Sequence, residues 1–476
     1  MTKQNMADFF PANYSKAVTY SLVSGVLAIV SVLSACSPPP EEAVKVQQHQ
    51  HERPEKGRIN DSPFVNVQGN RFYADGDPYR FVGANVWYAA YLGSENDDIG
   101  DRERLARELD LLKANGVTNL RIMAASENSP LDNSLSPAIS NKGEIEREDI
   151  LLGLDYTLVE MAKRKMKAVL FLNNFWEWSG GMVTYLSWVN DGKFINLGDP
   201  AHPWPEFSLY SAEFYRNAEA IEIYHQYIEQ LLERTNTITG VAYKDDPTIM
   251  SWQLANEPRP GEGKQSEQYM PQYLEWIAST AKLIKKHAPD QLVSLGSEGT
   301  MGCLGSVDCF KAAHAIEEID YSTFHMWPKN WGWYDVKDPS SFPAVIKNAG
   351  EYIELHIKLA KELNKPIVLE EFGLERDLGE FSPESSAKMR ENFYQYVFSF
   401  VNNSVHEGGP FVGTNFWAWG GYGKASHQDA RWRAGDKSFV GDPPQEPQGL
   451  NSVFASDERM LQILKAHSDI LLNSPR

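Results

Sequence analysis

The sequence is poor in cysteine, with Cys36, Cys303 and Cys309 the three in 476 residues. Three thiols cannot build the framework of a disulfide-stapled miniprotein. No cluster of cysteine and histidine has metal-ligand spacing, so the chain is expected to need neither metal nor cofactor. It also lacks basic charge. Lys and Arg number 45 against 64 Asp and Glu, a formal net charge of −19. That sign excludes nucleic acid as a partner, because phosphate binding needs a basic face. Long apolar runs are missing too: the one at residues 21–33 is too short to cross a membrane with confidence. Internal repeats are absent. What remains is a globular composition, 42% hydrophobic and 12% aromatic, with 13 Trp. Most of those rings are expected to pack in the core.

Two stretches share one form. Thr248-Ile249-Met250-Ser251-Trp252 is brief, β-branched and aromatic, and follows Asp-Asp-Pro, which marks a buried strand. It runs on into Gln253-Leu254-Ala255-Asn256-Glu257-Pro258-Arg259. Proline cannot extend a strand ladder, so Glu257 falls at a C-terminal rim. Pro366-Ile367-Val368-Leu369-Glu370-Glu371-Phe372-Gly373 is a second such strand, ending in Glu371. Side-chain alternation sends Glu370 to the opposite face. In a barrel of alternating strands and helices, Glu257 and Glu371 reach the same rim. Hydrolysis of a glycosidic bond needs two carboxyls so placed. One protonates the leaving oxygen, and the other attacks or activates water. Glu298 is a third strand-end carboxylate and ranks behind these two.

From Phe64 onward, strands alternate with helices. Phe64-Val65-Asn66-Val67 and Arg71-Phe72-Tyr73 flank Gln-Gly-Asn as a hairpin. Barrel strands are expected at 80–85, 117–123, 167–174, 248–252, 291–299, 319–327, 366–373 and 412–419. Apolar spacing places helices at 101–115, 149–165, 212–234, 265–287, 343–363 and 457–472. The fold class is therefore α/β, a (β/α)8 TIM barrel over residues 61–476 with long loops at its C-terminal rim. The connection from 175 to 211 is long, reads as irregular, and carries Phe175, Trp176, Trp178, Tyr185, Trp188, Phe194, Trp204 and Phe207. Such loops are commonly functional; its rings either wall a cleft or cluster beneath it. Arg121 falls inside an apolar strand and must be paired. Beside a strand-end Glu it would lower that carboxyl's pKa.

Around "WQLANEPR" and "IVLEEFG" the chain resembles glycoside hydrolase family 5 of the retaining (β/α)8 clan, and within it the endo-β-1,4-mannanases, over about residues 62–460. The resemblance implies Glu257 as acid and base, and Glu371, directly before aromatic-Gly, as nucleophile with Arg121 against it. It implies that Asn256 reaches the sugar 2-hydroxyl and that Arg259 faces the leaving-group sugars. His325 joins the site, and Trp417 is the sugar platform, with Trp419 on the same strand face. Substrate contacts are also expected from Trp87, Asn174 and Trp176. Where the family has His-x-Tyr, this chain has His325-Met326-Trp327. The indole then either donates, as the tyrosine does to the nucleophile, or serves as a platform. The implied activity is retaining endo-hydrolysis of β-1,4-mannosidic bonds in mannan, glucomannan or galactomannan. The alternatives are an endo-β-1,4-glucanase of the same clan and a non-catalytic glycan-binding lipoprotein. The expected partner is a polysaccharide, the expected state a monomer, and no separate carbohydrate-binding module is visible.

At the N-terminus, Lys3 and Lys16 precede the apolar run, which ends in Leu33-Ser34-Ala35-Cys36 before Ser-Pro-Pro-Pro. This resembles a bacterial lipobox, with Cys36 the lipidated first residue of the mature protein. The alternative is a plain secretion signal. Residues 1–36 then form a signal segment, starting at Met1 or downstream at Met6. Residues 37–60, rich in Pro, Glu, Gln and His, form a disordered linker. The protein is expected to be exported and held on a bacterial outer membrane or cell surface through that lipid alone. An exported protein can pair Cys303 with Cys309; two free thiols are the alternative. Cys36→Ser is expected to release soluble, active protein, because the linker separates anchor from barrel. Unchanged partition of that variant into the membrane fraction would rule the lipobox out.

Overall fold

The computed structural model describes residues 62–433 and 435–475. The signal segment, Cys36 and the linker lie outside the described residues. The central sheet has eight strands: β1 (Phe81–Asn85), β2 (Val117–Met123), β3 (Lys167–Phe171), β4 (Ile249–Gln253), β5 (Leu292–Ser294), β6 (Ser322–Met326), β7 (Ile367–Phe372) and β8 (Phe411–Phe416). All neighbouring pairs are parallel, in the order β5-β4-β3-β2-β1-β8-β7-β6. The sheet is thus a nearly closed TIM barrel. Its open seam, between β5 and β6, is stitched by other means. Asp320 N donates to Val293 O (2.9 Å), Val293 N to the Asp320 carboxylate (2.6 Å), and Ser297 N to Thr323 Oγ1 (2.9 Å).

The strands are short and almost wholly buried because helices cover the barrel outside while side chains fill it inside. The covering helices are α1 (Arg102–Ala114), α2 (Glu148–Lys163), α3 (Ala218–Glu233), α4 (Met270–His287), α5 (Val307–His314), α6 (Phe342–Leu363), α7 (Lys388–His406) and α8 (Glu458–Leu472). Asp101 caps α1 by accepting from Arg104 N (2.8 Å), and Asn217 caps α3 by accepting from Ala220 N (3.0 Å). α5 and α7 go beyond the helices expected from sequence. α5 is only eight residues long, whereas α7 carries Phe393, Tyr394, Val397, Phe398, Val401 and Val405 at helical spacing, so its signal is present in the sequence. The 175–211 connection also differs from expectation: it contains helices at Gly181–Val189 and Glu206–Ser211. Cys303 and Cys309 form a disulfide, Cα–Cα 5.7 Å.

The barrel floor is a separate apolar cluster. Phe72, from an antiparallel three-stranded sheet (Asn66–Gln68, Arg71–Ala74, Asp77–Tyr79), packs there with Phe81, Val169, Met250, Leu292, Val368 and Val412 near the starts of six strands. Phe72 meets Tyr321 edge-on at 5.2 Å between ring centroids. No helix of the described residues is long and apolar enough to cross a membrane.

The approach to β4 is held by one buried carboxylate. Asp155 on α2 accepts from Arg234 Nε (3.0 Å) and Nη2 (2.9 Å), Tyr243 OH (2.6 Å), Thr237 N (3.1 Å) and Thr237 Oγ1 (2.8 Å). This knot fixes where the chain enters the strand that precedes Glu257. Breaking a buried ion pair from one side costs about 3–5 kcal/mol. Glu148 also pairs with Arg234 (2.8 Å), so Asp155→Ala should cost about 3 kcal/mol. The urea midpoint should fall with an unchanged slope.

Candidate active site

Arg121 sits on β2 near its C-terminal end, fully buried. A guanidinium has five N–H donors and no way to shed its charge in a protein, so the strand ends around it must supply acceptors. Nε donates to Gln253 Oε1 (2.7 Å), Nη2 to Asn256 Oδ1 (2.7 Å), and Nη1 to Asn85 Oδ1 (3.0 Å) and to Glu371 Oε1. These partners come from the rims of β1, β4 and β7. Asn256 Nδ2 donates in turn to Asn174 Oδ1 (3.1 Å), beyond β3.

Glu257 follows β4 in the left-handed backbone region, φ +51°. A non-glycine residue there carries strain of order 1–3 kcal/mol, tolerated where surrounding contacts over-determine it. The chain secures it by donating Glu257 N to Gly296 O (2.9 Å). Gly296 must be glycine: a Cβ would lie 2.0 Å from Ala255 O. Three aromatic nitrogens then surround the Glu257 carboxyl. Trp176 Nε1 donates to Oε2 (2.6 Å), Trp327 Nε1 donates to Oε1 (3.1 Å), and His325 Nδ1 lies 2.7 Å from Oε1. His325 Nδ1 is also 3.4 Å from Glu371 Oε2, so the imidazole bridges the two carboxyls.

Glu370 departs from simple alternation. β6 pairs Phe324 with Leu369 and then His325 with Glu371, skipping Glu370. That irregularity is a β-bulge, which re-aims side chains. Glu370 is consequently not turned away from Glu371's network. It accepts from Gln253 Nε2 (2.6 Å) and Tyr321 OH (3.2 Å), and Gln253 also serves Arg121. Glu298 pairs with Arg259, accepting from Nε at 2.5 Å and Nη2 at 2.8 Å. Arg259 stacks over Trp176, 5.0 Å from the ring centroid.

These residues surround a cavity that opens to solvent. Of the residues expected from sequence, Trp176, Asn256, Glu257, Arg259, Trp327, Glu371 and Trp417 line it. Arg121 and His325 stand behind the wall and hold the carboxyls. Asn174 also stands behind: its amide serves Asn256, Ser179 and Trp176 N. Trp87 is a correction. It is buried against Tyr88, Trp178 and Phe439 and donates to Gly441 O (2.9 Å), so it supports the rim and cannot touch a ligand. Trp327 is a partial one: its indole does donate, but to Glu257 instead of Glu371. Trp419 is buried and donates to Glu108, leaving Trp417 as the ring at the cavity. Sequence reasoning did not single out Gln445 and Glu446, which lie in a proline-rich stretch with no periodic pattern, nor Trp331 and Asn330.

Burial pushes both catalytic-rim carboxyls up. For Glu371 the guanidinium of Arg121 opposes that rise, and repulsion from Glu257 adds to it. For Glu257, Arg259 and the Trp176 and Trp327 donors oppose it. The two titrate as a pair. Arg121, bonded directly to Glu371, favours the ionised form of that carboxyl. Burial, with Arg121's charge, depresses His325, which stays neutral. Glu257, His325 and Glu371 each offer an atom within 4.8 Å of the others, a spacing that could hold a cation. Arg121 already supplies the positive charge at that place, and the oxygens are engaged by N–H donors.

The pattern of the family described as GH family 5 beta-mannosidase-like matches residues 62–474. The crystal structure of a glycoside hydrolase family 5 mannosidase from Rhizomucor miehei shares 34% identity, covers 87% of this chain and 98% of its own, and superposes with a TM-score of 0.79. Mannan endo-1,4-beta-mannosidase 1 of Oryza sativa subsp. japonica is 29% identical over 416 residues, 84% of this chain and 86% of that one. Mannan endo-1,4-beta-mannosidase 4 of Solanum lycopersicum is 26% identical over 383 residues, 78% and 87% respectively.

The Trp176 indole stabilises the ionised form of Glu257. Trp176→Phe keeps a ring beside Arg259 and removes that donor, so the Glu257 pKa should rise. The alkaline limb of the activity profile should then move to higher pH. An unmoved or lowered limb would contradict the assignment.

Proposed function

This chain belongs to glycoside hydrolase family 5, and from that premise we propose that it hydrolyses β-1,4-mannosidic bonds within mannan, glucomannan or galactomannan by a two-glutamate double displacement. The supporting observation is the Glu257–Glu371 pair at one cavity, with an oxygen of each within 4.8 Å of the other. Oxygens that close support the retaining arrangement, with carboxyls about 5–5.5 Å apart, over the inverting one at about 6.5–9.5 Å. Glu371, held ionised by Arg121, attacks the anomeric carbon. Glu257 protonates the leaving oxygen. Once the glycosyl-enzyme forms, Glu371 has no charge, the repulsion on Glu257 is gone, and its pKa falls. Glu257 then takes a proton from the incoming water. Trp417 lies under the sugar. Asn256 spends Oδ1 on Arg121 and one amide hydrogen on Asn174, leaving the second for a sugar 2-hydroxyl. The names of the rice and tomato relatives support mannan over glucan as substrate. The same reading keeps the enzyme exported and lipid-anchored through Cys36.

A second reading, release of mannose from chain ends, is favoured by one comparison. The Rhizomucor structure at 34% identity is called a mannosidase. A panel of linear mannan, galactomannan, glucomannan and carboxymethylcellulose separates these possibilities. A fast viscosity fall with a ladder of oligosaccharides supports internal cutting; mannose as the early product supports chain-end release; activity on carboxymethylcellulose alone overturns both.

Glu371→Ala should abolish turnover, with azide restoring it to give an inverted product. Glu257→Ala should slow mannan hydrolysis by about 10²–10⁴-fold and be partly spared on aryl glycosides whose leaving group needs no acid. The first product of the wild type should be the β anomer by NMR before mutarotation. The pH profile should be bell-shaped, rising as Glu371 ionises and falling as Glu257 does. An initial α product would defeat the mechanism.

A further inference from the structure

The connection after β8 is drawn across the barrel mouth and tied down. Arg104 Nη2 donates to Phe439 O (2.9 Å) and Trp87 Nε1 to Gly441 O. The buried Asp442 carboxylate accepts from Gly449 N (2.8 Å), Asn451 N (2.7 Å) and Ser452 Oγ (2.5 Å). Gln448 Nε2 donates to the carbonyls of Asp442 (3.0 Å), Pro443 (3.0 Å) and Glu446 (3.1 Å). Arg390 holds the Ser452 and Leu450 carbonyls at 2.7 and 2.9 Å. The turn at 443–446, closed by Glu446 N to Pro443 O (3.0 Å), is therefore fixed at both ends.

Pro443, Gln445 and Glu446 line the same cavity as Glu257 and Glu371. Gln445 Oε1 and Glu446 Oε2 are withdrawn from solvent and meet no donor among the described residues. Each such acceptor costs about 1–3 kcal/mol if nothing fills it. The anchored turn holds both residues against the cavity. Together with the Trp417 indole N–H, also buried without a partner, they mark a wall built for a polar, hydroxyl-bearing ligand.

We propose that Gln445 and Glu446 form a sugar-hydroxyl subsite beside the catalytic pair. The proposal rests on the β-mannan reading above. Four residues face Glu446: Asp442, Lys329, Glu257 and Asn451. Burial first, then repulsion from Asp442, pushes its carboxyl up to about 8; Lys329 opposes, Glu257 adds, and the Asn451 hydrogen bond opposes. Lys329 is itself paired with Glu375, which weakens its pull. Below that pH, Glu446 offers one O–H donor and one acceptor, as the Gln445 amide does. Two adjacent hydroxyls of a sugar each give and accept, and so match the pair. Above it, Glu446 loses its donor.

The test compares Glu446→Ala and Glu446→Gln with wild type in the full chain, on linear β-1,4-manno-oligosaccharides. At about pH 6, Glu446→Ala should raise KM about tenfold, the worth of one hydrogen bond, with an unchanged melting temperature. Glu446→Gln keeps one donor and one acceptor and should recover most of that loss. Wild-type KM should climb as pH passes about 8, and the Glu446→Gln KM should not. A wild-type KM in Glu446→Ala, an equal pH-dependent climb in Glu446→Gln, or a fall in melting temperature in both variants would each overturn the subsite. A wild type inert on mannosides but active on β-glucan would overturn the substrate reading instead.

Discussion

A positive charge that cannot be neutralised, buried at a strand end, governs this site. Arg121 has its acceptors on the rims of β1, β4 and β7 and on Asn256, just past β4. An unpaired guanidinium in that place would cost several kcal/mol. The barrel's upper rim is therefore arranged around acceptors, and one of them, Glu371, is a member of the carboxyl pair. The other member, Glu257, is bonded to neutral donors, with Arg259 the nearer of its cations. Two identical side chains thus sit in different electrostatic surroundings, because Arg121 bonds one of them directly.

A layer of aromatic rings carries the second half of the arrangement. Trp204 and Phe207 stack behind Trp176 at 6.2 and 6.0 Å between centroids, and Arg259 covers its other neighbours while bonded to Glu298. The indole that reaches Glu257 is thus held by stacked rings, by the Arg259 guanidinium and by its own hydrogen bond. Water is thinned out around the carboxyls, which strengthens every charge interaction there. The cost appears in Glu257's left-handed backbone, which the Gly296 carbonyl and three side-chain contacts stabilise.

Much of this was readable from the chain. Short apolar runs ending in Glu or Asn located the strands, because a strand buried on both faces leaves no polar positions except at its rim. Val117–Met123 agrees to the residue. Arg121 stood out because a lone charge in such a run needs a partner. Other features were not readable. The skip at Glu370 depends on how β6 lies against β7, and period-two alternation cannot foresee it. Trp87 and Trp176 look alike in sequence, yet Trp87 packs under Gly441 while Trp176 reaches Glu257.

The sequence by itself determined the barrel, the two carboxylates and the arginine between them, since local pattern and the ban on unpaired buried charge act within short stretches. Tertiary structure alone decided which carboxyl each donor serves and brought Gln445 and Glu446 to the cavity wall. Those contacts join residues far apart in the chain, and their geometry follows from strand register and loop anchoring, which no stretch of sequence contains.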